Sequence, residues 1–197
     1  MSAQAATMKV YDTLIVHPDE TIKSIFPQMT EYKVRSLEIN EEALKPHLSA
    51  ENLSILKSLG LGINFYEVYQ NGSLVGVILG ENKKYLKKIL QVFVAIDTEN
   101  RVHDIYVQKS TAPLNLKPFR SKEYRKQFRR ISLGYDIDGA YYVPPASDTE
   151  SEETSGFSEV KEIWAHHSVV AAIKELLVSY QALYKKDYKG LLSVRFL

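Results

Sequence analysis

The chain of 197 residues contains no cysteine. Without thiols it can form no disulfide, no zinc–thiolate or iron–sulfur centre and no cysteine nucleophile, although its compartment stays open. It also contains no apolar run of about 18 residues, so we predict no transmembrane segment. Its formal net charge is only +1, which argues against a dedicated nucleic-acid binder.

Several catalytic and binding motifs are missing as well. The sequence has no P-loop, no G-x-G-x-x-G, no G-x-S-x-G and no H-E-x-x-H. Its adjacent histidines, His166 and His167, fall in a helical pattern, where neighbouring side chains point about 100° apart. Two such side chains cannot easily hold one metal. Packed or half-buried histidines are therefore expected, and we assign neither a metal site nor a catalytic residue.

The middle of the chain predicts an antiparallel β-meander. Two β-rich runs flank Asn71 and Gly72 in "NFYEVYQNGSLVGVILG", and Asn-Gly is the strongest short hairpin signal. The same arrangement follows in "KKILQVFVAIDTENRVHDIYVQK", where "DTEN" is the expected turn. These runs predict about four consecutive strands, and "EYKVRSLEI" upstream alternates well enough to form another.

Helical patterns lie on either side of these strands. Short helices are predicted in "HPDETIKSIFPQ", in "NEEALKPHLSAENLSILKSLG" and in "SKEYRKQFRRIS", where Ser121 is the cap. A long final helix with an apolar stripe is expected from about residue 158 to residue 185. Segregated helices and strands predict an α+β fold, with an N-terminal extension at 1–25 and one domain at 26–190. Within that domain, the acidic stretch 146–157 predicts an exposed loop.

Two compositional features each permit two interpretations. Thirteen tyrosines and seven phenylalanines either pack the core and the sheet or stack against a flat ligand. The basic runs "KKYLKK" and "RKQFRR" are either solvated surfaces or contacts for an anionic partner. Such a partner could be a phosphate, a lipid headgroup or an acidic protein.

Five stretches occur in an order and spacing that are typical of one known family. They are "GSLVGVILG", "LQVFVAIDTENRVHDIYVQK", the proline loop "STAPLN", "RSKEYRKQFRRIS" and "LGYDIDGAYY". Over residues 26–184 the chain resembles the FMN-binding domain family, whose small flavin-carrying members include subunits of Rnf- and Nqr-type respiratory complexes. The resemblance implies an extracytoplasmic, membrane-associated redox setting with protein partners, although we predict no signal or anchor in this chain.

The start of the final helix departs from that family. The family has a Ser/Thr-Gly-Ala-Thr-x-Ser-Ser turn, whose threonine carries the flavin phosphate in covalent members, where this chain has "VKEIWAHHSVV". Ile163 falls at that threonine and has no hydroxyl, so we expect no covalent FMN. The missing glycine would have let the backbone approach a phosphate closely. In the proline loop, Ala112 likewise stands where the family has glutamate.

The resemblance nevertheless implies a pocket for non-covalent FMN between the proline loop and the positive end of the last helix. The residues expected to line it are Thr111, Pro113 and Leu114 from the loop and His166, His167 and Ser168 from the helix. With FMN bound, the domain would relay electrons. In the alternative, the domain has lost its cofactor and survives as an interaction or scaffolding subunit of a redox or membrane complex. These readings favour an electron-transfer or accessory protein over an independent catalyst.

Overall fold

The computed structural model describes residues 16–85, 87–131 and 160–188, and its centre is a five-stranded antiparallel sheet. The strands are neighbours in chain order, so the sheet is a continuous meander. Their bounds are β1 (Glu31–Glu38), β2 (Gly62–Gln70), β3 (Ser73–Tyr85), β4 (Lys88–Asp97) and β5 (Val102–Ser110). The predicted antiparallel meander is confirmed, and β1 extends it to five strands by pairing with β2.

Two tight turns set the order of β2 to β5. Asn71 and Gly72 both have positive φ, 50° and 80°, which the two-residue hairpin turn between β2 and β3 requires. Between β4 and β5, the carboxylate of Asp97 accepts hydrogen bonds from the backbone N–H groups of Glu99 (2.9 Å) and Arg101 (3.0 Å). Local turn chemistry therefore reverses the chain at both predicted places.

Six α-helices accompany the sheet in the described part of the chain. They are α1 (Asp19–Ile25), α2 (Glu41–Leu44), α3 (Ala50–Ser58), α4 (Lys117–Arg120), α5 (Lys122–Lys126) and α6 (Val160–Ser179). Ser121 caps α5, because its hydroxyl oxygen accepts a hydrogen bond from the backbone N–H of Tyr124 at 3.1 Å. The long final helix is confirmed, and a six-residue π-helix, Tyr180–Lys185, continues α6 directly. The α+β fold class is confirmed.

The main hydrophobic cluster fills the space between one face of the sheet and α6. Strand β3 shows how the pleat selects this face: Val77 and Leu79 point into the main cluster, whereas Ile78 points to the opposite face. Helix α6 contributes a stripe of side chains that are at most 1% exposed. They are Ala165, Val169, Ala172, Ile173, Leu176, Leu177 and Val178. This stripe holds α6 across the sheet.

A second, smaller cluster covers the opposite face of the sheet through α1. Ile22 of α1 is fully buried in the same cluster as Phe93 of β4. Phe26, directly after α1, stacks on His103 with ring centroids 4.9 Å apart. The N-terminal extension predicted at 1–25 thus contains, from residue 19 onwards, a helix that packs on the sheet.

Residues 117–131 run back along the outer edge of β5. The backbone N–H of Arg130 donates to the carbonyl of Val102, and the N–H of Val102 donates to the carbonyl of Ile131, both at 2.8 Å. Towards the end of β5, the guanidinium of Arg120 donates to two backbone carbonyls of the strand. These hydrogen bonds occupy edge groups that would otherwise face solvent.

The stretch "LGYDIDGAYY", which contributes to the family resemblance, and the predicted acidic loop at 146–157 lie outside the described residues. Within the described ranges, no helix is both long enough and apolar enough to cross a bilayer.

Candidate functional site

The first turns of α6 are held to α5 by a buried polar contact. A hydrogen bond of 2.9 Å joins the hydroxyl of Tyr124 and Nδ1 of His166, and the two residues are only 8% and 6% exposed. The cap at Ser121 starts α5 so that Tyr124 and Phe128 both point inward. The sequence placed Tyr124 on an apolar helix face, but no pattern paired it with a residue 42 positions away.

An aromatic cluster surrounds this hydrogen bond. The ring of Tyr124 makes edge-on contacts with Phe119 and Phe128, each at a centroid distance of 5.3 Å. The ring of His166 lies at 5.8 Å, again edge-on. This geometry is favourable for aromatic pairs and adds to the gain from burial. In this region, the aromatic side chains therefore pack the core.

Burial keeps His166 uncharged at neutral pH. The low-polarity surroundings lower its pKa to about 4, and repulsion from His167 contributes. The same burial raises the pKa of the Tyr124 hydroxyl well above its ordinary value. A neutral imidazole beside a neutral phenol can form hydrogen bonds, but it cannot hold a phosphate by ion pairing.

The next two residues of α6 have different surroundings. His167 is exposed, and its ring centroid lies 6.1 Å from that of His166, as expected for adjacent helical positions. Ser168 is buried. Among the residues described, no three or more His, Asp or Glu side chains are grouped to hold a metal. The histidine pair thus consists of one packed residue and one solvent-facing residue.

In the proline loop, Thr111 extends the ladder between β4 and β5. Its hydroxyl oxygen accepts a hydrogen bond from the backbone N–H of Ile89 (2.8 Å), and its own N–H donates to the Ile89 carbonyl (2.9 Å). Pro113 is exposed, whereas Leu114 is partly buried against the main cluster. The loop and the start of α6 both border that cluster. The hydrogen-bonding partner of His166, however, comes from α5, which the predicted pocket did not include.

A second buried polar group lies between β3 and α6. The ammonium of Lys83 donates to both carboxylate oxygens of Glu175 at 2.7 Å and lies 3.2 Å from Oε1 of Glu81. All three side chains are less than one fifth exposed. The second oxygen of Glu81, Oε2, is buried and has no hydrogen-bond partner within the described structure. Burial and, after it, the charge of Glu175 raise the pKa of Glu81 far above its ordinary value.

Sequence reasoning missed this carboxyl pair. The alternation of β3 places Glu81 and Lys83 on the same face as Leu79, so their inward orientation could have been read from the strand pattern. Their partner Glu175 lies 92 residues beyond Lys83, and no local signal connects the two.

A groove of about 180 Å³ lies on the opposite face of the sheet. Its lining includes Phe26, Met29, Val75 and His103, and none of the residues predicted to bind a flavin. Pockets for small molecules and cofactors generally measure about 300–1,000 Å³, so this groove is small for a flavin.

Comparison of the chain with protein-family models, with curated proteins and with solved structures found no match. The resemblance to flavin-carrying domains therefore stays a prediction.

Tyr124→Phe is expected to lower the free energy of unfolding by about 1–2 kcal/mol, because it removes a buried hydrogen bond while keeping the ring. Urea unfolding at neutral pH measures this change. Tyr69→Phe is the matched control, since its hydroxyl bonds Glu67 nearer the surface and its loss should have little effect. Equal unfolding curves for Tyr124→Phe and the unmodified protein would show that the bond to His166 contributes nothing.

Proposed function

We propose that this chain is an accessory interaction domain that carries no covalent flavin and is built on an architecture resembling flavin-carrying domains. The observation behind the proposal is the buried hydrogen bond between Tyr124 and His166. It engages the histidine that the resemblance placed beside the flavin, and burial keeps that histidine neutral. Ile163, at the position of the family's attachment threonine, cannot form a phosphoester.

The charge requirement of FMN also favours this proposal. A phosphate monoester carries about −1.5 to −2 charges at neutral pH, and charged donors bind such a group best. Of the six predicted pocket residues, only the two histidines could become cationic. His166 is neutral, and His167 is exposed to water, which weakens any ion pair it forms.

The edge of the sheet at β1 offers a surface for protein contacts. No other described strand pairs with the outer edge of β1, whereas residues 117–131 cover the edge of β5. Most of its side chains are exposed, and Val34 is an exposed apolar residue at its centre. An open edge strand can accept a strand from another protein, and this supports an interaction role.

A second candidate function is non-covalent FMN binding, and one observation favours it. His167, Thr111 and Pro113 are all exposed, so part of the predicted pocket is accessible to a ligand. The first backbone N–H groups of a 20-residue helix such as α6 can also receive a phosphate.

Titration with FMN, followed by quenching of flavin fluorescence, distinguishes the two candidates. We expect no saturable binding up to about 1 mM, the concentration range of very weak ligands. The purified protein should also show no flavin absorbance after desalting. Both results follow from the missing hydroxyl at Ile163 and the uncharged state of His166.

Saturable binding of one FMN per chain would overturn the proposal in favour of a non-covalent flavin carrier. In that case His167→Ala should weaken binding, whereas His103→Ala should not, because His103 lies in the groove on the opposite face of the sheet. The pair of variants separates a specific pocket from general stacking of flavin on histidine.

A further inference from the structure

Residues 117–131, which cover the edge of β5, hold seven cations and one acid, a net charge of +6 in a chain whose total is +1. The cations are Lys117, Arg120, Lys122, Arg125, Lys126, Arg129 and Arg130, and the acid is Glu123. Arg120 and Arg125 are used inside the fold, on carbonyls of β5 and on buried Asp104. The other five cations are exposed, and we call them the basic strip.

Four of the five charges in the basic strip are unpaired in the described part of the chain. Arg129 lies 3.2 Å from Asp104, but Lys117, Lys122, Lys126 and Arg130 have no acidic partner among the described residues. Among the exposed cations elsewhere, Lys45, Lys84 and Lys109 likewise have no acidic partner in the described residues, whereas others do. Examples are Lys23 with Glu20, Lys33 with Glu31, Lys57 with Glu41 and Arg101 with Glu99.

The fold holds the basic strip along one side of the sheet. Phe119, Tyr124 and Phe128 of the same segment are buried, so the apolar side chains point to the core and the cations point outward. The segment follows β5, whose nine residues span about 30 Å at the usual rise of a strand. The result is an elongated positive surface along the edge of β5.

We propose that the basic strip docks this protein on the surface of an anionic lipid bilayer. Several lysines close to such a surface each add attraction to its acidic headgroups, and no shaped pocket is needed. Protein–protein interfaces are enriched in aromatic anchors and contain few lysines. The aromatic residues of segment 117–131 are all buried. Single-stranded nucleic acid also needs exposed aromatic rings for stacking. The inference does not depend on whether a flavin is bound.

Sedimentation of the full chain with lipid vesicles tests the proposal. We expect binding to phosphatidylcholine vesicles that contain about 30% phosphatidylserine, with little binding to pure phosphatidylcholine. Binding should fall as salt is raised, because screening shortens the range of the attraction. The combined variant Lys117→Gln, Lys122→Gln and Lys126→Gln should bind about 100-fold more weakly, at about fivefold for each charge.

Two control variants keep the test specific. Lys23→Gln, Lys33→Gln and Lys57→Gln together remove the same charge from paired lysines elsewhere, and we expect a much smaller change. Lys→Arg changes at the three strip positions keep the charge and should keep the binding. Circular dichroism and thermal melting establish that each variant is folded.

Three results would overturn the proposal. The first is the absence of binding to the phosphatidylserine vesicles at low salt. The second is an equal loss of binding in the strip variant and in the paired-lysine control, which would indicate a response to net charge alone. The third is tighter binding to a polyglutamate peptide or to single-stranded RNA than to the vesicles, which would assign the strip to a different class of partner.

Discussion

Glu81→Gln is expected to stabilise the protein by about 2 kcal/mol at pH 7, and the gain should grow by about 1 kcal/mol for each pH unit up to about pH 9. Removing an ionisable group from an ion-pair cluster would ordinarily be expected to destabilise it. The opposite is expected here because Glu81 is the second carboxyl group beside one lysine.

The distances indicate which carboxyl group holds the charge. Lys83 binds Glu175 through both carboxylate oxygens at 2.7 Å, whereas its distance to Glu81 is 3.2 Å. Burial is the largest cause that raises the pKa of Glu81, and the neighbouring charge of Glu175 is the second; Lys83 opposes both. Together they raise the pKa of Glu81 from 4.5 to about 9.

The direction of the pH dependence follows from that shift. An acid whose pKa is raised by folding contributes its full stability below its unfolded pKa, and this contribution is lost as the pH rises through the folded pKa. For Glu81 the loss extends from about pH 4.5 to about pH 9. Glutamine keeps the shape and a hydrogen-bond donor but has no proton to lose. The stability of the Glu81→Gln variant should therefore not show this pH dependence.

Urea unfolding at several pH values between 5 and 9.5 measures the effect. Glu20→Gln is the matched control, because its side chain is 87% exposed beside Lys23 and should leave the pH dependence unchanged. If the free energy of unfolding changed with pH in the same way for Glu81→Gln and for the unmodified protein, Glu81 would be ionised in the folded state. Lys83 would then neutralise both carboxylates about equally.

The unmodified protein loses stability as the pH falls from 6.5 to 4. His166→Asn is expected to make this loss smaller by about 2–3 kcal/mol. The unmodified protein must keep His166 neutral in its core, with a pKa of about 4, while the unfolded chain takes up a proton near pH 6.5. Its stabilising contribution is therefore complete above pH 6.5 and is lost as the pH falls towards 4. Asparagine has no proton to gain and can still form a hydrogen bond with Tyr124.

The comparison with His167→Asn isolates this effect. His167 is adjacent in sequence but exposed, so its replacement should leave the acid dependence of stability almost unchanged. The free energy of unfolding of each variant is measured with urea from pH 4 to pH 7.5. The difference between the two variants also cancels the effect of the carboxyl groups, which titrate in both. An equal acid dependence in both variants would show that His166 is protonated in the folded protein.

Both predictions concern how α6 is held to the rest of the domain. His166 fixes its first turns to α5, and Glu175 fixes its middle to the end of β3 that extends beyond β2. Each contact contains a group whose folded-state pKa disfavours its charged form. Between about pH 4.5 and pH 6.5 the gain from His166 and the loss from Glu81 oppose each other, and above pH 6.5 only the loss from Glu81 continues. The attachment of α6 should therefore weaken as the pH rises above about 6.5.

Much of the fold could be predicted from local sequence. The Asn71-Gly72 turn, the turn at Asp97 and the cap at Ser121 depend on residues a few positions apart, so their chemistry is visible in the sequence. The alternation of the strands and the apolar stripe of the last helix likewise predicted which faces are buried. Even β1 was readable as a strand, although its place as the fifth member of the meander required its register with β2.

The candidate site was only partly predictable, since its contacts join distant parts of the chain. The sequence by itself determined the α+β order, the absence of a hydroxyl at Ile163 and the density of cations in 117–131. Only the tertiary structure decided that His166 meets Tyr124, that Glu81 shares Lys83 with Glu175, and that the cations line the edge of β5. The physical reason is that local propensity acts within a few residues, whereas burial and charge pairing depend on which surfaces pack together.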